Sequence, residues 1–320
     1  MPTVECKEVA PATNQRPAQL SLKNVLYATD FSATSESALP FAAAICRTFA
    51  STLHIAHVLS DASLLLMTGG VDYVSLGTVY DAAQTAAEEK IQQVVARLGD
   101  IPYKTHVLHG PVWTRLSSIV GENEIDLIVV GTHGRTGLGK LLLGSVAENI
   151  LRHASCPVLT VGPRAFGWAK LLESQNQGRE QAPADLDLRT IVYATNFSPA
   201  SLSVAPMAIA LAERCGARLT LMHVFENYTE LEYPPGPIES GVNQLQAAIP
   251  RNANLAYAPE ILMEFGPASE RIVNTAVKRN ADLIVLGARP ASGTTHLPWS
   301  TVHQVVANAS CPVLTVPHNA

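Results

Sequence analysis

Short apolar runs rich in β-branched residues alternate along this chain with longer stretches whose apolar residues recur at helical spacing. In the first half the runs are Asn24–Thr29, Thr52–Val58, Tyr103–Leu108, Asp126–Val130 and Pro157–Val161, and they predict five strands. Between them, Ser35–Phe49 sets Ala38, Leu39, Ala42, Ile45, Cys46 and Phe49 on one stripe. Ala82–Leu98 does the same with Ala87, Ile91, Val94, Val95 and Leu98. A third helix opens at Gly110-Pro111, where the missing proline N–H does no harm, and a fourth covers Ser145–His153. This alternation predicts an α/β fold, a parallel sheet with helices on both faces. The first and fourth strands are nearly continuous apolar runs and are therefore expected at the centre, buried on both sides.

The pattern then repeats. LKNVLYATDFS at Leu22–Ser32 returns as LRTIVYATNFS at Leu188–Ser198, and DLIVVG at Asp126–Gly131 returns as DLIVLG at Asp282–Gly287. ASCPVLTV occurs at both Ala154–Val161 and Ala309–Val316. The three matches come in one order, so the chain reads as two tandem copies of one domain. The division expected is a mobile tail over 1–20, copy one over 21–163, a polar linker over 164–187 and copy two over 188–318. Copy two departs in one place: Pro234, Pro235, Pro237 and Pro250 interrupt Glu226–Ala256, which is expected to be mostly loop.

Composition narrows the function. Twenty-two basic residues against 27 acidic ones, net charge −5, supply no positive field for a nucleic-acid backbone. No apolar run reaches the ~18–20 residues of a membrane span, and the acidic, proline-bearing N-terminus lacks the apolar core of a secretory signal. The five cysteines, Cys6, Cys46, Cys156, Cys215 and Cys311, fall at neither metal-finger nor CxxC spacing. A soluble, cytoplasmic protein without disulfides or nucleic-acid or membrane partners is expected.

The chemistry gathers where an open α/β sheet binds ligands, at the carboxyl ends of neighbouring strands where strand order reverses. Ala28-Thr29-Asp30 and the turn GTHGRTGLGKLLLGS, Gly131–Ser145, converge there if the first and fourth strands are neighbours. Glycines in the turn permit close backbone approach, and the helix starting at Gly144-Ser145 directs its free N–H groups and positive dipole end to the same place. Two other phosphate-site readings fail. GRTGLGKL, Gly134–Leu141, ends in leucine where a Walker A motif needs Ser or Thr for Mg²⁺, and no GxGxxG follows the first strand.

Gly131-x2-Gly134-x9-Gly144-Ser145, with the DLIVVG strand before it and LLLGSVAE and SCPVLTV after it, resembles the ATP-binding pattern of the universal stress protein (UspA) family. The likeness covers nearly all of copy one and the framework of copy two. It implies two adenine nucleotide alpha hydrolase-like domains of five parallel strands in the order 3-2-1-4-5. It implies ATP, AMP or ADP as ligand, with Mg²⁺ held through the phosphates. By that resemblance Ala28, Thr29 and Asp30 lie near the nucleoside and the backbone of Val58 meets adenine. Gly131, His133, Gly134 and Arg135 form the turn, and Gly144, Ser145 and Val146 form the phosphate-binding helix start. Fifth strands in this family pair across domains, so Pro157–Val161 and Pro312–Val316 are expected to pack antiparallel within the chain. Such pairing also protects two apolar edges. Association of chains into a dimer or larger homo-oligomer is compatible with this.

The second copy lacks much of the pattern. Asn196 replaces Asp30, and aligning Ser300 with Ser145 puts Pro290 opposite Gly134 and Trp299 opposite Gly144. Copy two is therefore expected to be a structural partner that does not bind ATP in the family's manner. Simpler readings stand beside the sharp ones. Asp30 and Ser145 can serve as plain helix or turn caps, and His133, Arg135 and Lys140 as loop residues. His54 and His57, like His106 and His109, are three apart on strands and point to opposite faces, so neither pair is expected to chelate a metal. No Ser/His/Asp or Cys/His constellation stands out. The expected function is nucleotide binding in a stress-response regulatory protein. The alternatives are slow ATP hydrolysis or phosphate transfer at the same pocket, and a nucleotide-independent scaffold.

Overall fold

Asn24–Ala28 (β1), Thr52–Leu59 (β2), Tyr103–His109 (β3), Leu127–Gly131 (β4) and Val158–Val161 (β5) are the strands of copy one. Copy two supplies Thr190–Ala194 (β6), Arg218–Phe225 (β7), Glu260–Phe265 (β8), Leu283–Ala288 (β9) and Val313–Pro317 (β10). The computed structural model describes residues 20–59, 76–132, 143–165, 186–226, 235–288 and 301–317. Residues 1–19 and 166–185, which hold most of the expected tail and linker, lie outside them.

All ten strands form one sheet, ordered β3-β2-β1-β4-β5-β10-β9-β6-β7-β8. Each half runs 3-2-1-4-5 with parallel pairing, the expected order; what differs is that the two sheets are continuous. They join where β5 pairs antiparallel with β10, Leu159 opposite Leu314. These two leucines are equivalents in the repeated ASCPVLTV, so a pseudo-two-fold axis passes between them. The symmetry extends to side chains: the Thr160 hydroxyl donates to the Val313 carbonyl at 3.1 Å and the Thr315 hydroxyl to Val158 at 3.2 Å. The sheet's outer strands, β3 and β8, are its least buried and carry Lys104, Glu260 and Glu264, charges that discourage edge-to-edge pairing.

The helices of copy one are Ala33–Glu36 (α1), Leu39–Phe49 (α2), Leu76–Val95 (α3), Val112–Glu122 (α4) and Ser145–His153 (α5). Those of copy two are Pro199–Leu202 (α6), Ala205–Cys215 (α7), Pro235–Ala247 (α8), Ala268–Lys278 (α9) and Thr301–Asn308 (α10). Two expectations need correction. The single helix over Ser35–Phe49 is two, because Pro40 sits in the first turn of α2 and offers no N–H to continue α1. The proline-rich Glu226–Ala256 holds the 13-residue α8. Pro235 and Pro237 occupy its first turn, where the amides have no intrahelical partner in any case, and Pro250 falls after its end. Leu245 of α8 is fully buried, so packing holds the helix in place.

On one face of the sheet a single apolar core runs through both copies, from Leu53 and Ile91 to Leu219 and Leu245. On the other face the copies keep separate cores, one around Ile128, Leu116 and Ile150 and one around Ile284, Ile272 and Val305. Leu143 and Leu151 of copy one pack against both of these. No helix among the described residues is long and apolar enough to cross a membrane.

Candidate functional site

β1 ends in a turn that the sequence ties down tightly. Tyr27, fully buried, donates its hydroxyl to the Ser35 carbonyl at 2.9 Å, and burial pushes its phenol up to about 12. The Thr29 and Ser35 hydroxyls are 3.0 Å apart, and Thr29 Oγ1 accepts the Phe31 N–H at 3.0 Å. Thr29 N–H itself donates to the Ala56 carbonyl. Phe31 takes a left-handed conformation, φ 62°, which turns the chain into α1, whose N-cap is Ser32. Asp30 is half-buried in this turn, and its Oδ1 accepts the Ser32 N–H at 3.0 Å. The turn-capping role is thus present, at the carboxyl end of β1.

β1 pairs with β2 on one side and β4 on the other, so strand order reverses at β1. Val58, half-buried near the end of β2, lies beside Leu108 of β3. Gly131 closes β4, and here the structure supplies its own reason for glycine. A Cβ would sit 2.7 Å from the Thr34 carbonyl oxygen and 2.9 Å from Ser35 Cα. The space beside Gly131 is filled by α1. Gly287 of copy two meets Ser201 Cα at 2.8 Å in the same way.

One residue beyond, the Gly144 N–H donates to the Thr132 carbonyl at 2.7 Å, which seats the start of α5 at the end of β4. Gly144 is the N-cap, and this helix end has no side-chain cap. Ser145 is therefore the first helical residue and not the cap; it is exposed, as is Val146 at 36%. The opening amides of α5 carry the positive end of the helix dipole. The structure thus brings Ala28, Thr29, Asp30, Gly131, Gly144, Ser145 and Val146 to one end of two neighbouring strands, with Val58 on the next. His133, Gly134, Arg135 and Lys140 lie outside the described residues, as do Pro290, Trp299 and Ser300 of copy two.

Copy two repeats the turn but not the acid. Thr195 and Ser201 hydroxyls are 2.7 Å apart, Phe197 has φ 61°, and the Tyr193 hydroxyl donates to Ser201. Asn196 Oδ1 accepts both the Ser198 N–H at 3.1 Å and the Ser201 hydroxyl at 2.7 Å. Asn196 itself is exposed, and its side-chain oxygen is shared between these two donors of its own turn.

Sequence reasoning missed two histidine arrangements. His57 Nδ1 lies 2.8 Å from the Thr29 carbonyl and His223 Nδ1 2.8 Å from that of Thr195. A carbonyl only accepts, so Nδ1 carries the proton in both. The repeated YAT…H pattern, 28 residues apart in each copy, was the available signal. His54 and His106 instead meet across strands. His54 Nδ1 lies 3.2 Å from His106 Nε2, His54 Nε2 lies 3.4 Å from Asn24 Oδ1, and the rings stack. Burial pushes the fully buried His54 down to about 4 and lowers His106 too. No group of three or more His, Cys, Asp or Glu that could hold a metal ion occurs among the described residues. Cys46, Cys156, Cys215 and Cys311 are free thiols. Burial pushes the first, second and fourth up to about 12 and Cys215 up to about 11, so they pack as small apolar groups.

Comparison with known proteins places this architecture. The profile of the universal stress protein family matches residues 21–162 and again 187–317. A universal stress protein of Methanocaldococcus jannaschii is 30% identical over 152 residues, 43% of this chain and 94% of its own length. One from Mycolicibacterium smegmatis is 24% identical over 305 residues, 91% of this chain and 96% of its own. Among solved structures, a universal stress protein from Archaeoglobus fulgidus superposes with a TM-score of 0.65 at 19% identity. It covers 92% of this chain and 98% of its own, which speaks to the fold alone.

Proposed function

Because this chain belongs to the universal stress protein family, with both copies matched, we propose that copy one binds an adenine nucleotide, ATP or its AMP or ADP forms. In this reading the protein is a stress-response regulator, and copy two is its structural partner. The observation that carries the reading is the Gly144 N–H to Thr132 carbonyl bond. It sets a helix start without a side-chain cap at the point of strand reversal, where backbone donors and the dipole favour a phosphate. A glycine N-cap adds no side chain to compete. The one carboxylate in the first turn of α5, Glu148, is gripped by Arg152 at 2.6 Å, which offsets its repulsion of an anion. Asp30 faces the nucleoside end as hydrogen-bond acceptor for a hydroxyl or amino group, and Val58 offers backbone to adenine. A Mg²⁺ ion would be held through the phosphate oxygens.

The test starts with protein purified without added nucleotide. Mass analysis is expected to find co-purifying adenine nucleotide, and titration calorimetry to measure its binding. Gly144→Trp, which copies the indole of Trp299, is expected to abolish binding. Asp30→Asn is expected to weaken it roughly tenfold, the worth of one charged hydrogen bond. Its melting temperature should stay close to wild type, because Asn196 accepts the equivalent Ser198 N–H. No binding by the wild type, or unchanged affinity in Gly144→Trp, contradicts the proposal. Labelled ATP followed over hours separates binding from turnover at the same site.

A further inference from the structure

The pseudo-two-fold axis at Leu159 and Leu314 sets residues of α5 against their own equivalents on α10. Aligning the two ASCPVLTV segments makes Glu148 equivalent to His303 and Arg152 equivalent to Ala307. Glu148 and His303 do face each other across the junction, His303 Nε2 lying 3.9 Å from Glu148 Oε1, beyond hydrogen-bond distance, with side chains 17% and 35% exposed for His303 and Glu148; burial lowers the His303 pKa, so an uncharged imidazole sits opposite the carboxylate. Arg152 holds the same oxygen through Nε at 3.2 Å and a terminal nitrogen at 2.6 Å. One helical turn along, Leu151 packs into the core of copy two.

An interface between identical units brings an axis residue against itself. Most of this junction suits such self-pairing. Val158, Leu159 and Thr160 are the same residues as Val313, Leu314 and Thr315, and the two threonine bonds mirror each other. These contacts serve a copy one–copy one pair between chains as well as they serve the pair within one chain. The Glu148–His303 position does not. Between two copy-one domains it would oppose two carboxylates in a half-buried setting, a repulsion that the Arg152 beside each offsets only in part, and between two copy-two domains it would oppose two imidazoles.

We propose that Glu148 and His303 are a selector for the junction: an imidazole opposite the carboxylate lets copy one pack on copy two, whereas copy one of another chain would bring a second carboxylate to the same place. Specificity of this kind comes from the repulsive element in the wrong pairing as much as from attraction in the right one. A tandem chain needs it, because self-pairing of like domains would link chains into open assemblies.

Full-length His303→Glu removes the discrimination by setting carboxylate against carboxylate within the chain as well. Its melting temperature is expected to fall by roughly 2–4 °C. Sedimentation velocity is expected to show concentration-dependent association about tenfold stronger than wild type. The swap Glu148→His with His303→Glu restores one carboxylate opposite one imidazole and is expected to return both readouts toward wild type. His303→Gln, which adds no charge, should fall between and keeps the test valid if His303→Glu folds poorly. His303→Glu and His303→Gln both sedimenting and melting as wild type, or a swap as associated as its single His303→Glu parent, would overturn the proposal.

Discussion

Gly131 shows how the duplication separates architecture from chemistry at the scale of single residues. A glycine at the end of the fourth strand invites a ligand reading, yet Gly131 and Gly287 both press on the turn that follows the first strand of their copy. Gly131→Ala is therefore expected to cost roughly 1–3 kcal/mol by overpacking, and Gly287→Ala a similar amount, measured by urea unfolding. Loss of nucleotide affinity in a fully stable Gly131→Ala protein would give Gly131 a ligand role instead of the packing one. Thr29, Ser35 and His57 likewise serve the fold, since Thr195, Ser201 and His223 repeat their bonds. Asp30 is left as a residue of copy one alone, and so is the His54–His106 pair, whose His54 stands where copy two has Thr220. Burial holds His54 near 4 in the folded protein, against about 6.5 in an unfolded chain. Unfolding therefore takes up a proton between these values. The contribution is fully present above about pH 6.5 and is lost as pH falls toward 4, by roughly 2–3 kcal/mol. Unfolding free energies measured at pH 7 and pH 4.5 should differ less in His54→Thr than in wild type; an unchanged difference would refute this role.

At the scale of elements, α8 is the instructive case. Four prolines within Glu226–Ala256 mask its helical pattern, yet position matters more than number: two lie in the first turn, where proline is tolerated. Leu245, fully buried on α8, predicts that Leu245→Ala costs about 2–4 kcal/mol, read by chemical denaturation. A cost below about 0.5 kcal/mol would return the segment to loop. The strands and most helices were legible because burial on both faces leaves apolar runs and a stripe that composition alone reveals. The His54–His106 contact was not. It depends on how β2 slides against β3, which sets Ala56 beside His106, and spacing within either strand carries no such information. The segments that meet at the strand ends, Asp30 and Gly144–Val146 above all, were legible as a motif. The packing of Gly131 against Thr34 and Ser35 depends on contacts between distant segments, and the capping role of Asp30 on the conformation of its own turn.

At the scale of the whole molecule, the antiparallel β5–β10 pair converts two domains into one ten-stranded sheet with a shared core on one face. Duplication lets the copies diverge under that constraint: the junction keeps its matched residues, while the carboxyl end of the first strand changes from the acidic Asp30 to the uncharged Asn196, whose oxygen is held by two donors of its own turn. The account therefore predicts an asymmetric molecule, with one nucleotide site in two similar domains. Native mass spectrometry of the full chain titrated with ATP tests this most directly. The expected spectrum saturates at one nucleotide per chain and loses that nucleotide in Gly144→Trp. Saturation at two per chain, or retention of the single nucleotide in Gly144→Trp, would contradict it.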